Sequence, residues 1–345
     1  MRSCGKYISG LICLVFLLIL TFPIHVLSEQ IVVSVYPSAL YVEVNSTFNV
    51  NVTVSNVHDL VGWEFKLYYL SAKLNGTSVV EGPFLKQGGN TFFYVVSFTD
   101  NYNVTHGMVW LTCTLLGAVP GVNGNGTLAT ITFRAKEPGS SGLILCDTML
   151  SNSKANPIAH TVVHGIAYIL THDIAIAKVS PSKTVVGQGL TVKIDVMVRN
   201  EGNFTETFNV TAYANTTAIG TVIATIANGS FATVTLTWNT IGFAYGNYTI
   251  WAYACPVQGE TDTNDNTLAS NIQVHVGVPG NVWGNPYPPP VYDDVCNMRD
   301  VTYIILHFNA KPGSPNWEPN TDVNNDGVCN MRDVSIAILN FNKHE

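Results

Sequence analysis

Apolar and polar side chains alternate along the first half of the chain. The segment 48–54 (FNVNVTV) places an apolar residue at every second position, and the segment 63–69 (WEFKLYY) does so at most positions. A period of two is the pattern of a strand that buries one face. Further strands are predicted over 31–36, 92–98, 108–116, 128–134, 143–146 and 164–169. Loops rich in Gly and Asn divide these segments, so residues 30–170 are predicted to form a two-sheet β-sandwich.

The same alternation returns in a second module over residues 172–277. Apolar residues occupy every second position of 190–198 (LTVKIDVMV) and of 232–238, and 246–254 reads as another strand. About seven strands over about 105 residues are typical of an immunoglobulin-like sandwich. The acidic group Glu260, Asp262 and Asp265 leaves two interpretations open, a cation site or a solvated hairpin turn.

The end of the chain contains an internal repeat. Residues 295–301 and 328–334 are both VCNMRDV, and the similarity continues as VTYIILHFN against VSIAILNFN. A match of this length at one offset indicates a duplicated structural unit. The apolar run after each copy predicts a short helix, so this part of the chain is α-helical.

The second copy carries the spacing of a calcium loop. Oxygen donors fall at positions 1, 3, 5, 7, 9 and 12, and Gly327 at position 6 provides the sharp turn. The predicted ligands are Asp322, Asn324, Asp326, the backbone carbonyl of Val328, Asn330 and Asp333. Calcium prefers six to eight oxygen ligands, which this set supplies.

The first copy departs from that pattern at its front. Its aligned position 1 is Pro289, Asp294 replaces the glycine, and residues 281–290 look like an insertion. The possible ligands are Asn281 (or Asn285 in its place), Asp293, Val295, Asn297 and Asp300. Whether this loop binds calcium or is a metal-free turn stays open.

The prolines of residues 311–320 exclude a helix before the second loop, and the loop closes in Asp. A duplicated loop and exiting helix of this kind resembles a dockerin, here over residues 278–343. The resemblance implies Ca²⁺ as the cofactor and a docking face on the two helices. By this resemblance the partner-binding residues are Met298, Arg299, Met331, Arg332, Ile338 and Leu339. The duplication gives a nearly two-fold face, which would bind in either of two orientations.

The two β-modules also resemble known families. The segments 35–37, 48–54, 56–67, 126–133 and 142–150 are similar to those of a cohesin, the partner module of dockerins, which implies a jelly-roll sandwich. The segments 179–182, 198–202 and 256–266, with Trp238, resemble a CARDB (cell-adhesion-related) domain.

The cysteines Cys296 and Cys329 stand at position 8 of the two loops, where paired loops face each other. We expect them to form a disulfide or at least to touch, and buried free thiols are the alternative.

Composition narrows the function. The chain has 345 residues and a net charge of −7 without a basic cluster, which argues against nucleic acid as a partner. Residues 1–28 have the pattern of a signal peptide, with a retained anchor as the alternative, and no later apolar run is long enough to span a membrane. Ten Asn-x-Ser/Thr sequons agree with a glycosylated protein that is secreted or on the cell surface.

The sequence shows no catalytic motif, so we expect a non-enzyme. No paired acids, nucleophile elbow or phosphate loop is present, and His160 and His164 lack further zinc ligands. The expected function is calcium-dependent assembly with cohesin- or dockerin-bearing proteins, and whether a second copy of this chain, head to tail, is one of them stays open. The alternative is carbohydrate binding or adhesion in an extracellular polysaccharide-degrading system. Its candidate sugar-stacking residues are Trp63, Tyr68, Tyr94 and Trp110.

Overall fold

A computed structural model describes residues 29–285 and 291–345 of the chain. Strands dominate, which confirms the prediction of a mainly β protein. The predicted signal peptide and Pro289 lie outside the described residues. Within the described ranges, no helix is long and apolar enough to cross a membrane.

The front domain contains ten strands. They are β1 (Val32–Tyr36), β2 (Ala39–Glu43), β3 (Thr47–Leu70), β4 (Leu74–Glu81), β5 (Thr91–Thr99), β6 (His106–Leu115), β7 (Val122–Ala135), β8 (Gly139–Asn152), β9 (Thr161–Val163) and β10 (Gly165–Leu170). All are hydrogen-bonded into one sheet, which the long strand β3 folds into two layers. The first half of β3 pairs with β1 and β7, and its second half pairs with β6 and β8.

The fold of β3 has a local cause. Asn56 and Asp59 have positive φ angles of 58°, a backbone conformation that Asn and Asp adopt more readily than most residues. Their backbone N–H groups donate to the side chains of Asn125 and Asn123, at 2.6 and 2.8 Å. Hydrogen bonds to side chains thus take the place of backbone-to-backbone hydrogen bonds where the register between β3 and β7 shifts. Trp63, Phe65 and other inward residues of β3 fill the core between the layers.

The middle domain contains eight strands, one more than the expected number. They are β11 (Ile174–Pro181), β12 (Val185–Gly187), β13 (Thr191–Asn200), β14 (Glu206–Ala214), β15 (Thr217–Ile226), β16 (Phe231–Asn239), β17 (Gly246–Ala254) and β18 (Thr267–Gly277). A sheet of order β11-β13-β16 packs on one of order β12-β18-β17-β14-β15. Residues 172–187 run beside and parallel to 260–277, so both segments lead from one end of the domain to the other.

The tail consists of a small hairpin and two short helices. The hairpin pairs β19 (Gly284–Asn285) with β20 (Val291–Tyr292), and the helices are α1 (Met298–Leu306) and α2 (Met331–Leu339). Asn297 and Asn330 cap the two helices in the same way, each with a reciprocal hydrogen bond from its own backbone N–H to an aspartate three residues later. A small core between the helices contacts Leu190, which also packs against the core of the middle domain.

Candidate cation loops and docking surfaces

The second loop brings its predicted ligands together. Asp322 accepts hydrogen bonds from the backbone N–H groups of Asp326 at 3.1 Å and Gly327 at 2.9 Å. Asp333 is fully buried and accepts from the N–H groups of Asn324 at 3.1 Å and Asn330 at 2.8 Å. Two aspartates thus hold the two ends of the loop against each other. Gly327 has a φ of 90°, the left-handed conformation that favours glycine.

The remaining two side chains complete this loop. The Asn324 amide donates to Asp326 at 3.0 Å, and the Asn330 amide donates to the carbonyl oxygen of Val328 at 2.9 Å. Arg332 reaches Asp326 at 3.7 Å on the solvent side. All six predicted ligand positions therefore lie on one compact turn that leads into α2.

The carboxylates of this loop lie in an unequal electrostatic environment. Burial raises the pKa of Asp333, hydrogen bonds from Asn330 and Asn324 oppose the rise, and the charges of Asp322 and Asp326 add to it. Burial also acts to raise the pKa of Asp326, but hydrogen bonds from Asn324, Val328 and Asn330 outweigh it, so the pKa is lowered. Clustered carboxylates of this kind are stabilised by a bound cation.

The first loop is closed by the same type of aspartate. Asp300 is fully buried and accepts from the N–H groups of Val282, Trp283 and Asn297, each at 2.8 Å. Because Val282 and Val323 occupy the same small core, Asn281 holds the place in this loop that Asp322 holds in the other. The insertion therefore lies between the third and fifth loop positions, where β19 and β20 form their hairpin.

Two ligand positions of the first loop carry oxygens without a partner. Asn281 is buried, and its amide nitrogen donates to the backbone oxygen of Asp293 at 2.6 Å. The Oδ1 atoms of Asn281 and Asp293 are buried and have no hydrogen-bond partner. The Asn297 amide bonds the other oxygen of Asp293 at 3.1 Å and the carbonyl oxygen of Val295 at 3.2 Å. Unpartnered buried oxygens are costly, and a cation is one group that satisfies them.

Neither loop is a metal site built from His, Cys, Asp and Glu side chains alone. Within residues 29–285 and 291–345, no three His, Cys, Asp or Glu side chains converge in a metal-binding arrangement. Each loop instead mixes aspartates with asparagine amides and one backbone carbonyl. An all-oxygen set of this kind fits a hard cation such as Ca²⁺ and disfavours Zn²⁺.

The predicted disulfide between Cys296 and Cys329 is wrong, and both are buried free thiols. Position 8 of each loop pairs with the segment after the helix of the other copy rather than with position 8 of the other loop. The N–H groups of Asn342 and Asn309 donate to the carbonyl oxygens of Cys296 and Cys329, at 2.7 and 2.8 Å. The two thiols contact the carbonyl oxygens of Ala337 and Ile304, at 3.4 and 3.3 Å, so each sulfur faces the opposite helix.

The two helices present matching exposed side chains. Met298 and Met331 are each 61 % exposed, Ile305 and Ile338 are 52 % and 56 % exposed, and Leu306 and Leu339 are 69 % and 77 % exposed. The sequence interpretation included only four residues of this set and the two arginines. The 33-residue offset of the repeat also points to Ile305, Leu306, Phe308 and Phe341, all of which are exposed.

The two arginines at the start of the helices differ in their surroundings. The Arg299 guanidinium lies over the ring of Trp283, 5.1 Å from its centroid, whereas Arg332 extends beside Asp326. Both side chains remain exposed. The aspartate of each helix, Asp300 or Asp333, is fully buried, so the exposed charge of both helices is positive.

An aromatic surface covers the outer face of the β8-β3-β6-β5 layer in the front domain. Phe92 and Tyr94 are exposed on β5 and stack at 6.0 Å with a 9° angle between their planes. On the neighbouring strands, Lys66 lies over the Trp110 ring, and Ile144 and Met149 of β8 are exposed. Sequence reasoning identified only Tyr94 and Trp110 of this surface, because the same alternation describes either face of a strand.

Acidic groups lie within this surface. Glu64 accepts a hydrogen bond from the Trp110 indole at 2.9 Å, and exposed Asp147 forms a salt bridge with Lys66 at 2.8 Å. Of the four candidate sugar-stacking residues, Trp63 lies in the core, where its ring stacks on Phe65. Tyr68 packs against Tyr102. Tyr94 and the partly covered Trp110 belong to the outer surface.

Other candidate side chains have structural roles. His160 contacts Thr148 and the Ile158 carbonyl oxygen, each at 2.8 Å, and His164 accepts from the Leu145 N–H at 3.2 Å. In the middle domain, both oxygens of Glu260 accept backbone N–H groups, from Ile174 at 3.1 Å and Val257 at 2.8 Å. Asp262 accepts from Asn264, which shapes the turn.

The comparisons with known proteins assign the two β-modules. Residues 38–167 match the family model of the cohesin domain, and residues 171–270 match that of CARDB. No curated protein has a significant match to this chain. The chain therefore carries a cohesin domain followed by a CARDB domain, and both are families of non-catalytic interaction or adhesion domains.

Solved structures similar to parts of the chain include two cohesins. The non-cellulosomal cohesin of Archaeoglobus fulgidus is 18% identical, with 41% of this chain and 92% of that chain covered and a TM-score of 0.34. The sixth cohesin of scaffoldin B from Acetivibrio cellulolyticus, solved in complex with a dockerin, is 17% identical, with 41% and 99% covered and a TM-score of 0.34. A CARDB domain from Pyrococcus furiosus, solved in complex with di-metal ions, is 21% identical, with 31% and 96% covered and a TM-score of 0.27.

Proposed function

We propose that this chain is a non-catalytic extracellular assembly protein, whose cohesin domain binds a dockerin-type module and whose tail is itself a dockerin-like module. The observation that carries the proposal is the cohesin match over residues 38–167. Cohesins are protein-binding domains, and several of the similar solved structures are cohesin–dockerin complexes.

The outer surface of the β8-β3-β6-β5 layer is the proposed receiving surface. It exposes Phe92 and Tyr94 on β5 and Ile144 and Met149 on β8, with β3 and β6 between these two strands. Exposed apolar groups gathered on one face mark interaction sites more often than scattered ones do. Aromatic residues at the centre of such a face provide large contact areas with few rotatable bonds.

Calcium is the proposed cofactor of the tail. In the second loop it would be held by Asp322, Asn324, Asp326, Val328, Asn330 and Asp333, and it would offset the repulsion among the three aspartates. In the first loop, the unpartnered oxygens of Asn281 and Asp293 support a second ion near Asp300. Because the tail has only a small core, calcium is proposed to supply part of its folding free energy.

Binding of dockerins is tested with the full chain carrying Met298→Asp and Met331→Asp, which prevent its own tail from competing. Purified dockerin-bearing proteins of the source organism are presented in calcium and in excess chelator, and binding is measured by calorimetry. We expect at least one to bind in calcium and not after chelation. Phe92→Ser with Tyr94→Ser in the same chain should abolish it. Failure of every dockerin to bind overturns the proposed role of the front domain.

Binding of calcium is tested separately. Titration of calcium into the chelator-treated chain should release heat and raise the unfolding temperature of the tail. Asp322→Asn with Asp333→Asn should remove most of the heat that belongs to the second loop. A chain that gives no heat and no stabilisation with calcium overturns the cofactor assignment.

A further inference from the structure

We infer that the tail docks on the front domain of a second copy of this chain, so that copies join head to tail. The inference rests on the proposed function and identifies the partner of both surfaces. Three observations support it. The tail is fixed to the middle domain, the front domain is attached at the opposite end of that domain, and the two docking surfaces carry opposite charges.

The tail is fastened to the middle domain by buried polar contacts. Lys183 is only 4 % exposed, and its Nζ donates to the backbone oxygen of Asp322 at 2.5 Å. The Asn320 side chain accepts from the N–H groups of Thr184 and Val185, at 3.0 and 3.1 Å. Separating the tail from the middle domain would break these three hydrogen bonds and return their groups to water.

Glu345 adds to the same junction. Glu345 contacts His275 Nε2 at 2.8 Å and accepts from the Val278 N–H at 3.3 Å. A Cβ on Gly277 at the end of β18 would collide with the carboxylate of Glu345, so these two residues are in close contact. The middle domain therefore holds the tail as a fixed attachment.

The front domain is attached at the other end of the middle domain. Thr171 pairs with Asn203, and His172 pairs with Glu260, at the start of the parallel segments 172–187 and 260–277. The tail contacts Lys183–Val185 and His275, near their far ends. β18 alone, with 11 residues, spans about 35 Å.

Within the described residues, no hydrogen bond or ion pair joins the front domain to the tail. With the junction around Lys183 in place, the tail and its own front domain are attached at opposite ends of the middle domain. Docking between different copies keeps that junction intact. The middle domain thus acts as a spacer that directs the contact to a second chain.

The two surfaces are complementary in composition and charge. The helices expose apolar side chains beside Arg299 and Arg332, whereas the front surface exposes apolar side chains beside Glu64, Asp147 and Lys66, a set with one net negative charge. An apolar centre with opposite charges at its edge is typical of specific protein interfaces. Because the two surfaces differ, the contact is heterologous and joins chains in a line unless the line closes into a ring.

The test is sedimentation of the full chain in calcium over a concentration series. We expect the weight-average mass to rise to at least about twice that of one chain, since heterologous contacts propagate. Phe92→Ser/Tyr94→Ser and Met298→Asp/Met331→Asp should each remain monomeric. Their equimolar mixture should give only heterodimers, because each variant retains one working surface.

Controls separate this result from misfolding and from failure of the proposed function. Ile223→Ser replaces an exposed apolar residue of the middle domain and should assemble as the wild type does. Circular dichroism should be the same for all variants. A chain that binds dockerin proteins but stays monomeric overturns the head-to-tail inference alone. A chain that stays monomeric and also binds no dockerin protein overturns the proposed function as well.

Discussion

The Nζ atom of Lys183 lies 2.5 Å from the backbone carbonyl oxygen of Asp322, the first residue of the second cation loop. Burial lowers the pKa of this lysine, and the charges of Asp322 and Asp333 oppose that shift. A middle-domain side chain thus enters the base of a loop more than a hundred residues away in sequence. The contact joins the stability of the junction to the geometry of the loop.

Lys183→Met should loosen this junction. The substitution keeps most of the apolar length of the side chain but leaves the Asp322 carbonyl oxygen without its buried donor. We expect the free energy of unfolding to fall by about 1–3 kcal/mol. Urea unfolding, followed by tryptophan fluorescence, measures the change. Lys178→Met, on the exposed side of β11, is the matched control and should change little. Equal midpoints for both variants would show that the contact contributes nothing.

Gly327→Ala should weaken calcium binding through the backbone alone. Nothing lies within 4 Å of a Cβ at this position, so no clash is introduced, but alanine is strained at a φ of 90°. The expected cost is about 1 kcal/mol, or about fivefold in affinity.

Calorimetric titration with calcium measures this effect. Gly220→Ala is the control, because its φ is not in the left-handed region and its nearest neighbour would be 3.7 Å away. An affinity that is the same in Gly327→Ala and in the wild type would contradict the assigned loop geometry.

The tail cysteines should be unreactive in the native chain. Burial raises the pKa of Cys296 to about 12, with the charges of Asp300 and Asp293 adding to it, and burial also raises the pKa of Cys329. Both therefore stay protonated at neutral pH and lie out of reach of a thiol reagent. Exposed Cys255 should react first.

Thiol counting in denaturant completes this test. Without reductant, the five cysteines beyond residue 28 should all titrate as free thiols. Cys255→Ser is the control that removes the fast reaction and leaves the slow ones. A count of three free thiols, with Cys296 and Cys329 unreactive in denaturant, would show that these two cysteines form a disulfide after all.

The middle domain should lose stability as the pH rises through about 6. Burial raises the pKa of Asp173 to about 6, and the charge of Asp265 is the next largest cause. Because the folded pKa lies above the unfolded value of 3.8, its stabilising contribution is complete below about pH 4 and is lost as Asp173 ionises. Asp173→Asn removes that charge.

The variant should therefore be more stable than the wild type at pH 7, by on the order of 1 kcal/mol once solvent screening is allowed for. At pH 4 the two should unfold at nearly the same temperature. Thermal unfolding across this pH range measures the difference. Glu43→Gln, an exposed acid of the front domain, should show no such trend. A difference that does not vary with pH would exclude Asp173 as its source.

The repeated segment shows where sequence reasoning succeeds and where it stops. Identical heptapeptides produce identical caps at Asn297 and Asn330, because a helix cap depends on residues three apart. The cysteines of the same heptapeptides do not bond, because their environment is set by the opposite copy. The partner of each thiol is a carbonyl oxygen on the other helix, which no local pattern specifies.

The amino-acid sequence alone determined the alternating strands, the duplicated loops and the oxygen donors, since these depend on a period of two, a repeat offset and spacing within one turn. Tertiary structure alone decided that Asn281 takes the first position of the first loop, that the aromatic surface lies on one layer of the front domain, and that Lys183 fastens the tail. Each of these depends on which distant segments meet. Contacts between distant segments are determined by burial, close packing and the pairing of buried polar groups. These effects depend on the three-dimensional arrangement of the whole chain, so a local sequence pattern does not reveal them.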